Sequence, residues 1–164
     1  LIDCHKYLMR KVYLLKMFHI ILFEPEIPPN AGNIIRLCVN TGCELHFIEP
    51  LGFSVDEKSF KRAGMDYMKK KDFHVWSSLE NCMEKVSASR YFTISTKGQN
   101  KYTDVDYEKG DAFIFGPESR GLPKDIRDSH ESIFIPMKSE GRSLNLANAV
   151  SVIVYEAWKA FNFQ

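Results

Sequence analysis

The sequence predicts a single α/β domain in which a mostly parallel sheet is flanked by helices. Short runs of β-branched and aromatic residues alternate with helix-like segments, and such alternation is typical of a parallel sheet covered on both faces. The 164 residues, 45% of them apolar and 26% charged, are enough for one buried core and too few for two ordinary domains. This composition also argues against a disordered or low-complexity chain.

Six segments are predicted to form strands, because each is short and rich in residues that favour extended structure. They are residues 18–23, 44–49, 72–76, 90–95, 111–115 and 132–135. The first run follows Met17 directly, so the domain is predicted to span residues 17–164. Residues 1–16 are interpreted as an upstream extension or an expression remnant, outside the functional argument.

Four helices are predicted between the strands, at residues 33–41, 78–86, 123–128 and 144–161. Pro28, Pro29 and Asn30 precede the first helix and Gly42 follows it, while Pro123 suits the first position of the third. One apolar stripe of the last helix suffices to cover the sheet, yet apolar residues continue around the cylinder. That surplus fits either a deeper core or a subunit interface. The stripe is Leu146, Val150, Ile153, Ala157 and Phe161, and the surplus is Val152, Tyr155 and Trp158.

Several classes of protein are disfavoured by what the chain lacks. Its longest run without a charged side chain, residues 143–155, is too short to cross a bilayer. No glycine motif of a dinucleotide fold, kinase or P-loop is present, and no GxSxG elbow. The cysteines show neither CxxC pairing nor zinc-ligand spacing, which indicates reduced thiols in a cytoplasmic protein and no metal site. These cysteines are Cys4, Cys38, Cys43 and Cys82.

Basic residues are concentrated between residues 58 and 71. The whole chain has a formal net charge of +1, but this segment holds six basic residues against one acid, with Phe60 and Tyr67 interleaved. Such a patch can attract a phosphate backbone, although an ordinary solvated surface has the same charge pattern. The basic residues are Lys58, Lys61, Arg62, Lys69, Lys70 and Lys71.

Polar loops follow three of the predicted strands at their carboxyl ends, where ligands bind in open parallel sheets. They are residues 96–98, 116–123 and 136–145. Gly116 would let its backbone approach a ligand closely, whereas the alternative is an ordinary turn, with Ser143 and Asn145 as helix caps. These loops are the candidate binding site.

The segment 28–42 is a fourth candidate element. Helical spacing predicts that Asn33, Arg36 and Asn40 lie on one stripe, with Asn30 at its mouth. An arginine among amides has the outline of a phosphate or oxyanion site, although the polar surface of an amphipathic helix is the alternative.

Together these motifs resemble the SPOUT RNA methyltransferases, in order and in spacing, from Met17 to about Phe161. Segments 22–28 and 48–53 are similar to the TrmL/YibK branch, which methylates the ribose 2′-hydroxyl of the tRNA wobble nucleotide, a cytidine or a modified uridine. The motifs that carry the likeness are 30–36 (NAGNIIR), 115–123 (FGPESRGLP), 135–137 (IPM), 142–146 (RSLNL) and 154–158 (VYEAW).

The resemblance implies a deep trefoil knot near the C-terminus, a homodimer, and S-adenosylmethionine bound within the knot. It implies a catalytic role for Arg36, with Asn30 and Asn145 as further functional positions. The implied cofactor positions are Ile94, Gly116, Glu118, Ile135 and Ser143, at or just past the three strand ends. The predicted contacts with tRNA are Tyr155, Arg142, Lys61 and Arg62.

Arg36 is interpreted as a fixed cation, because a guanidinium stays protonated in proteins. It would hold the neighbouring phosphate and stabilise the developing alkoxide, while the site aligns the reactants; no residue is assigned as the proton acceptor. Two alternatives stay open at this point: methylation of ribosomal RNA by the same chemistry, and a non-catalytic RNA-binding factor with this fold. Intact Arg36, Ser143 and Asn145 favour the enzyme.

Overall fold

The computed structural model describes residues 16–55 and 73–164. The basic segment 58–71, with Lys61 and Arg62, lies outside the described residues, as do residues 1–15 of the predicted extension. Within the described ranges, no helix combines the length and the apolar character that crossing a membrane requires.

Seven strands form one parallel sheet, which confirms the predicted fold class and adds one strand to the predicted six. They are β1 His19–Phe23, β2 Glu44–Ile48, β3 His74–Trp76, β4 Tyr91–Ile94, β5 Asn100–Lys101, β6 Ala112–Phe115 and β7 Glu131–Phe134. The order across the sheet is β3-β2-β1-β6-β4-β7-β5. Every neighbouring pair is parallel, so all seven strands end on the same side, called here the carboxyl end of the sheet.

The strand that sequence analysis missed is β5, which has two polar residues and no apolar run to mark it. It pairs with β7, which is inserted between β4 and β5 although those two are consecutive in the chain. The amides of Ser95 and Gln99, on either side of the β4–β5 loop, donate to the carbonyls of Ile133 and Ser132 at 3.0 and 2.9 Å. Strand β7, which comes later in the chain, therefore contacts both ends of the earlier β4–β5 loop. The trefoil knot itself stays a prediction from the resemblance.

Alternating side chains of the central strands build a core on each face of the sheet. Ile20 and Leu22 of β1 pack in the core that contains α1 (Pro28–Thr41) and α4 (Leu146–Lys159). Ile21 packs on the opposite face, with α2 (Leu79–Lys85) and α3 (Lys124–Asp128). A single 3₁₀ turn, Tyr102–Asp104, follows β5. Both faces are covered, as the alternation of strands and helices predicts.

The helix boundaries differ from the predicted ones by one to five residues, except at the ends of α1 and α3. Pro123 is the N-cap of α3 rather than its first residue, as the prediction had it. The prediction that α1 starts at residue 33 is wrong, because Pro28 and Pro29 occupy its first positions, where no backbone N–H is needed. Helix α4 begins at Leu146 rather than at residue 144, because the Asn145 side chain caps it by accepting from the amides of Ala147 and Asn148.

Most of the predicted apolar stripe of α4 is buried, and part of its surplus apolar surface is exposed. Leu146, Val150, Ile153 and Ala157 lie in the core, whereas Tyr155 is 48% exposed. Val152, Trp158 and Phe161 are partly buried. The surplus is therefore not all deeper core, and a surface remains that a second chain can cover.

Candidate active site

A cleft of about 610 Å³ opens at the carboxyl ends of β4, β6 and β7. The three loops predicted from the sequence line it, together with the first turns of α1 and α4. Its size is that of sites for cofactor-sized ligands. Apolar side chains form much of its wall, among them Ile94, Phe115, Leu122, Ile135 and Leu146.

Seven of the predicted site residues line this one cleft: Asn30, Ile94, Gly116, Glu118, Ile135, Ser143 and Asn145. Arg36 does not line it and is exposed on α1, as are Asn33 and Asn40. The grouping of Asn30 with that stripe is wrong, because Asn30 is 4% exposed and faces the cleft loops. Six helical residues rotate a side chain by roughly 240°, so Asn30 and Arg36 point in different directions. Of the predicted RNA contacts, Tyr155 and Arg142 are exposed and lie outside the cleft.

The buried amide of Asn30 joins three segments of the chain. Its Nδ2 donates to Glu118 Oε1 at 2.9 Å, and its Oδ1 accepts from Asn145 Nδ2 at 2.8 Å. A carboxylate only accepts hydrogen bonds, so these partners fix which way round the Asn30 amide lies. Asn145 also caps α4, so the cap and the cleft share one side chain.

Glu118 holds the start of α1 from a distant loop. Besides the Asn30 amide, its carboxylate accepts from the backbone amides of Glu26 and Ile27 at 2.8 and 3.2 Å. Helix α1 has no side-chain N-cap and no acidic residue in its first turn. A negative charge beside a helix N-terminus is stabilising, and here Glu118 supplies it across 88 residues of sequence.

Gly116 is required by the close packing of its own loop. A Cβ at this position would lie 2.3 Å from the Leu122 nitrogen and 2.4 Å from the Gly121 carbonyl carbon. The loop 116–122 thus folds back on its own backbone, closed by a hydrogen bond from the Gly121 amide to the Pro117 carbonyl at 2.9 Å. Gly116 itself lines the cleft, and the expectation that its backbone approaches a ligand stays a prediction.

Cations outnumber anions around the cleft. Lys97, Arg120 and Arg127 line it together with one acid, Glu118. Arg120 forms an ion pair with Glu24, and Arg127 pairs with its neighbour Asp128. Ile27, Arg127 and Ala149 also line the cleft but were not predicted to do so, because only the tertiary arrangement brings them there.

A second polar cluster lies near the amino ends of β1, β2 and β3, apart from the cleft. Ligand-type atoms of His19, Glu44 and His46 lie within 4.8 Å of one another. Trp76 Nε1 donates to His46 Nδ1 at 3.1 Å, so the His46 proton lies on Nε2 and points to His19 Nδ1, 3.2 Å away. With that proton in place, His46 Nε2 has no lone pair for a metal. His74 completes the cluster through Glu44 Oε1 at 2.9 Å.

Burial sets the charge state of this cluster. Burial, together with the smaller effects of the neighbouring His19 and His74, lowers the pKa of His46 to about 3. Burial also lowers the pKa of His19, although the Glu44 carboxylate opposes that effect. Both imidazoles are therefore neutral at physiological pH, which suits a hydrogen-bonded chain inside the fold.

The sequence profile of the SpoU rRNA Methylase family matches residues 17–155. A tRNA (cytidine(34)-2′-O)-methyltransferase of Aeromonas hydrophila is 50% identical over 150 residues, which cover 90% of this chain and 96% of the relative. The chain belongs to the SpoU rRNA methylase family. The resemblance drawn from the sequence motifs is thereby confirmed.

Solved structures give the same result for the SpoU fold. One, described as concerning the 2-OH methylation of C/U34 on tRNA, superposes with a TM-score of 0.83 at 39% identity, covering 91% of this chain and 99% of its own. The SpoU methyltransferase AviRb of Streptomyces viridochromogenes, solved in complex with AdoMet, has a TM-score of 0.76 at 23% identity. It covers 90% of this chain and 59% of its own, and at that identity it shows the fold alone.

Proposed function

We propose that this SpoU-family chain transfers a methyl group from S-adenosylmethionine to the ribose 2′-hydroxyl of the wobble nucleotide of tRNA. The acceptor is cytidine or a modified uridine at the first anticodon position. The observation that carries the proposal is the half-identical relative with this activity, matched over nearly its whole length. The cleft supports it, since seven predicted site residues separated by up to 115 residues converge there. A non-catalytic role is disfavoured because the matching relatives are enzymes.

The cleft fits S-adenosylmethionine in size and in chemistry. Its apolar wall of Ile94, Phe115, Leu122 and Ile135 suits a flat purine, and the polar loops suit a ribose and an amino-acid group. When bound, this cofactor supplies an electrophilic methyl group. The residues that would hold it are those that line the cleft on the three loops, including Ile94, Gly116, Glu118, Ile135 and Ser143.

The chain's own contribution to methyl transfer is alignment and charge. Asn30, fixed by Glu118 and Asn145, sets the start of α1 against the cleft, and the same helix carries Arg36. In our proposal Arg36 is a permanent cation that holds the phosphate next to the reacting ribose and stabilises the oxygen as it gains negative charge. Alignment of reacting groups can itself account for several kcal/mol, about 7 to 11 in favourable cases.

The proposed RNA contacts lie around the mouth of the cleft and beyond it. Lys97 lines the cleft, and Arg142, one residue before Ser143, is exposed next to it. Tyr155 is 48% exposed and offers a ring for stacking. Lys61 and Arg62 belong to the basic segment proposed from the sequence to attract the phosphate backbone. We place the protein in the cytoplasm on the strength of its proposed tRNA substrate.

We further propose that the protein is a homodimer through α1 and α4. These helices pack side by side, and Val39 of α1, Tyr155 of α4 and Phe163, just after α4, are 60%, 48% and 52% exposed. Val39→Glu should weaken the dimer at least tenfold in analytical ultracentrifugation, because a second chain would bury the new charge. Val75→Glu, a similar change at a valine that is 39% exposed on β3, is the control. Equal self-association of parent and Val39→Glu would overturn this interface.

The wobble assignment is tested by removing the nucleophile. Parent tRNA, the same tRNA with a 2′-deoxy wobble ribose, and one with a 2′-deoxy ribose elsewhere in the anticodon loop are incubated with labelled S-adenosylmethionine. Methylation should vanish only with the wobble-deoxy tRNA, while its binding stays close to that of the parent, because base and phosphates are unchanged. Ribosomal RNA is tested as a further substrate, because the family is named for methylation of ribosomal RNA. Preferential labelling of ribosomal RNA, or normal labelling of the wobble-deoxy tRNA, would overturn the assignment.

A further inference from the structure

Glu26 takes part in a two-way contact that no sequence motif indicates. Its backbone amide donates to Glu118 Oε2 at 2.8 Å, while its own carboxylate accepts from the next residue of the same loop. Ser119 donates to it twice, from the amide to Oε2 at 2.9 Å and from the hydroxyl to Oε1 at 2.7 Å. Each segment thus donates to a carboxylate of the other across 93 residues of sequence.

We propose that Glu26 is a positioning residue for methyl transfer, because its contact with Ser119 fixes the start of α1, and hence Asn30 and Arg36, against the cofactor loop. We call the paired contacts Glu26–Ser119 and Glu118–Glu26 the clasp. The inference rests on the proposed function. It concerns a residue that does not line the cleft, in contrast to its partners Glu118 and Ser119.

The location of Glu26 makes this role effective. Glu26 lies in the short connection between β1 and α1, four residues before Asn30. Gly52 packs closely against the same connection, since a Cβ there would lie 2.7 Å from the Glu26 Cα, and the Gly52 amide donates to the Pro25 carbonyl at 2.9 Å. The connection is therefore held by two separate loops, and its position determines where α1 starts.

The electrostatics of the clasp favour an ionised Glu26. Hydrogen bonds from the Ser119 hydroxyl, and then from its amide, hold the pKa of the Glu26 carboxyl below its ordinary value. An ionised carboxylate can accept from both Ser119 donors at once. Arg120, the next residue of the loop, pairs with Glu24 and adds a third link between the same two segments.

A positioning role predicts a specific pattern in the kinetics. Loss of the Glu26 side chain removes no residue of the cleft wall, so affinity for S-adenosylmethionine should change little. The alignment of α1 with the cofactor loop should suffer, and small misplacements of reacting groups cost up to about 100-fold in rate. Turnover should therefore fall while cofactor binding persists.

The experiment compares Glu26→Ala, Ser119→Ala, the double variant and Glu26→Gln in the full chain. We expect Glu26→Ala to lower kcat about 10- to 100-fold, with the Kd for S-adenosylmethionine within about threefold of the parent by calorimetry. The double variant should be no slower than Glu26→Ala, because both changes break the same contact. Glu26→Gln should recover most of kcat, since its amide can accept from the Ser119 amide and donate to the hydroxyl oxygen.

Glu49→Ala is the matched control, because Glu49 is an exposed glutamate that follows β2 at the same end of the sheet. It should leave kcat unchanged. Parental kcat in Glu26→Ala would overturn the positioning role, and so would a drop in kcat matched by equal losses in cofactor affinity and in Tm. Additive effects of the two substitutions would also contradict a shared contact.

Failure of the clasp and failure of the proposed function are distinguishable. If the parent protein methylates no RNA, the proposed function fails, and the clasp is then judged by hydrogen exchange. Glu26→Ala should speed exchange of the Ser119 amide at least tenfold relative to Glu49→Ala. Unchanged protection of that amide would overturn the clasp whatever the activity of the protein.

Discussion

The two ends of the sheet use buried polar groups in opposite ways. At the amino end, His19 and His46 lie on neighbouring strands, 27 residues apart in sequence, and Asp111 pairs with Arg90 only 21 residues away. At the carboxyl end, Asn30 bonds to partners 88 and 115 residues away. The amino-end groups sit in the packed fold, whereas the carboxyl-end groups face a cleft.

The difference separates stability from chemistry. A polar pair between neighbouring strands is formed by the sheet itself, so it contributes to folding and has no ligand to orient. A pair between distant loops forms only after the sheet has brought those loops together, and its geometry defines the cleft. Substitutions at the amino end should therefore change stability with little effect on turnover, and those at the carboxyl end should do the reverse.

The largest effect is expected from Arg36→Ala, on the helix that starts at the carboxyl end. Loss of a fixed cation that stabilises transition-state charge should lower kcat about 100- to 1,000-fold. Affinity for S-adenosylmethionine should stay near that of the parent, because Arg36 does not line the cleft. Single-turnover methylation of tRNA and calorimetry with the cofactor measure the two quantities.

Two further variants refine this result. Arg36→Lys should recover little activity, because a point charge replaces a planar fork of donors. Lys85→Ala, at an exposed cation in the last turn of α2, should behave like the parent. An Arg36→Ala protein with parental turnover would remove the catalytic assignment.

The second prediction concerns stability at the amino end. Asp111 is fully buried and accepts from Arg90 Nε and Nη2 at 3.0 and 2.8 Å. In Arg90→Met the Asp111 carboxylate loses both donors from the guanidinium and keeps the Glu108 amide, which donates to it at 2.7 Å. We expect the free energy of unfolding, measured with urea, to fall by about 2–3 kcal/mol. This is less than breaking a fully buried ion pair costs, because the Arg90 side chain is 38% exposed.

Turnover at a temperature where the Arg90→Met protein is folded should equal that of the parent. The matched control is Lys124→Met, which removes an ion pair with Asp128 in which the lysine is 83% exposed, and which should cost less than about 1 kcal/mol. A large fall in kcat for folded Arg90→Met would mean that the two ends of the sheet are coupled.

The same division explains what the sequence could reveal. The strands, the three cleft loops and the end of α1 at Gly42 follow from local composition, because apolar runs and turn residues report on their own surroundings. The Glu26–Ser119 contact joins segments 93 residues apart, and no local pattern encodes it. Strand β5 was not predicted, because its two residues are polar and it is held in the sheet by backbone pairing with β7. The start of α1 was missed because the prolines fit equally well before a helix and inside its first turn.

The third prediction is a dependence of stability on pH that originates at the amino end. Because burial depresses the pKa of His19 and lowers that of His46 to about 3, the unfolded chain binds protons that the folded chain does not between about pH 6.5 and 3. This stabilising contribution is complete above pH 6.5 and is lost as the pH falls. The loss should reach up to about 1.4 kcal/mol per pH unit for each buried histidine.

Urea unfolding at pH 7.5, 6.5 and 5.5 measures that slope. His46→Gln should reduce it, since the amide keeps a donor and an acceptor but does not titrate. His74→Gln, at a histidine whose side chain is 46% exposed in the same cluster, should retain most of it. A parental slope in His46→Gln would show that the acid sensitivity arises elsewhere.

The smallest effect is expected at Asn145, where the two roles meet in one side chain. Its Oδ1 caps α4, and its Nδ2 donates to Asn30 across the cleft. Asn145→Ala removes both contacts and should cost about 1 kcal/mol of stability together with a roughly tenfold loss of kcat. Asn145→Asp separates the roles, because its carboxylate still accepts from the Ala147 amide but cannot donate to Asn30. Asn145→Asp keeps the helix cap but places an acceptor opposite the Asn30 oxygen, so stability should recover only in part while kcat stays low. Recovery of both quantities would show that the link to Asn30 does not position the site, and that Asn145 serves the helix alone.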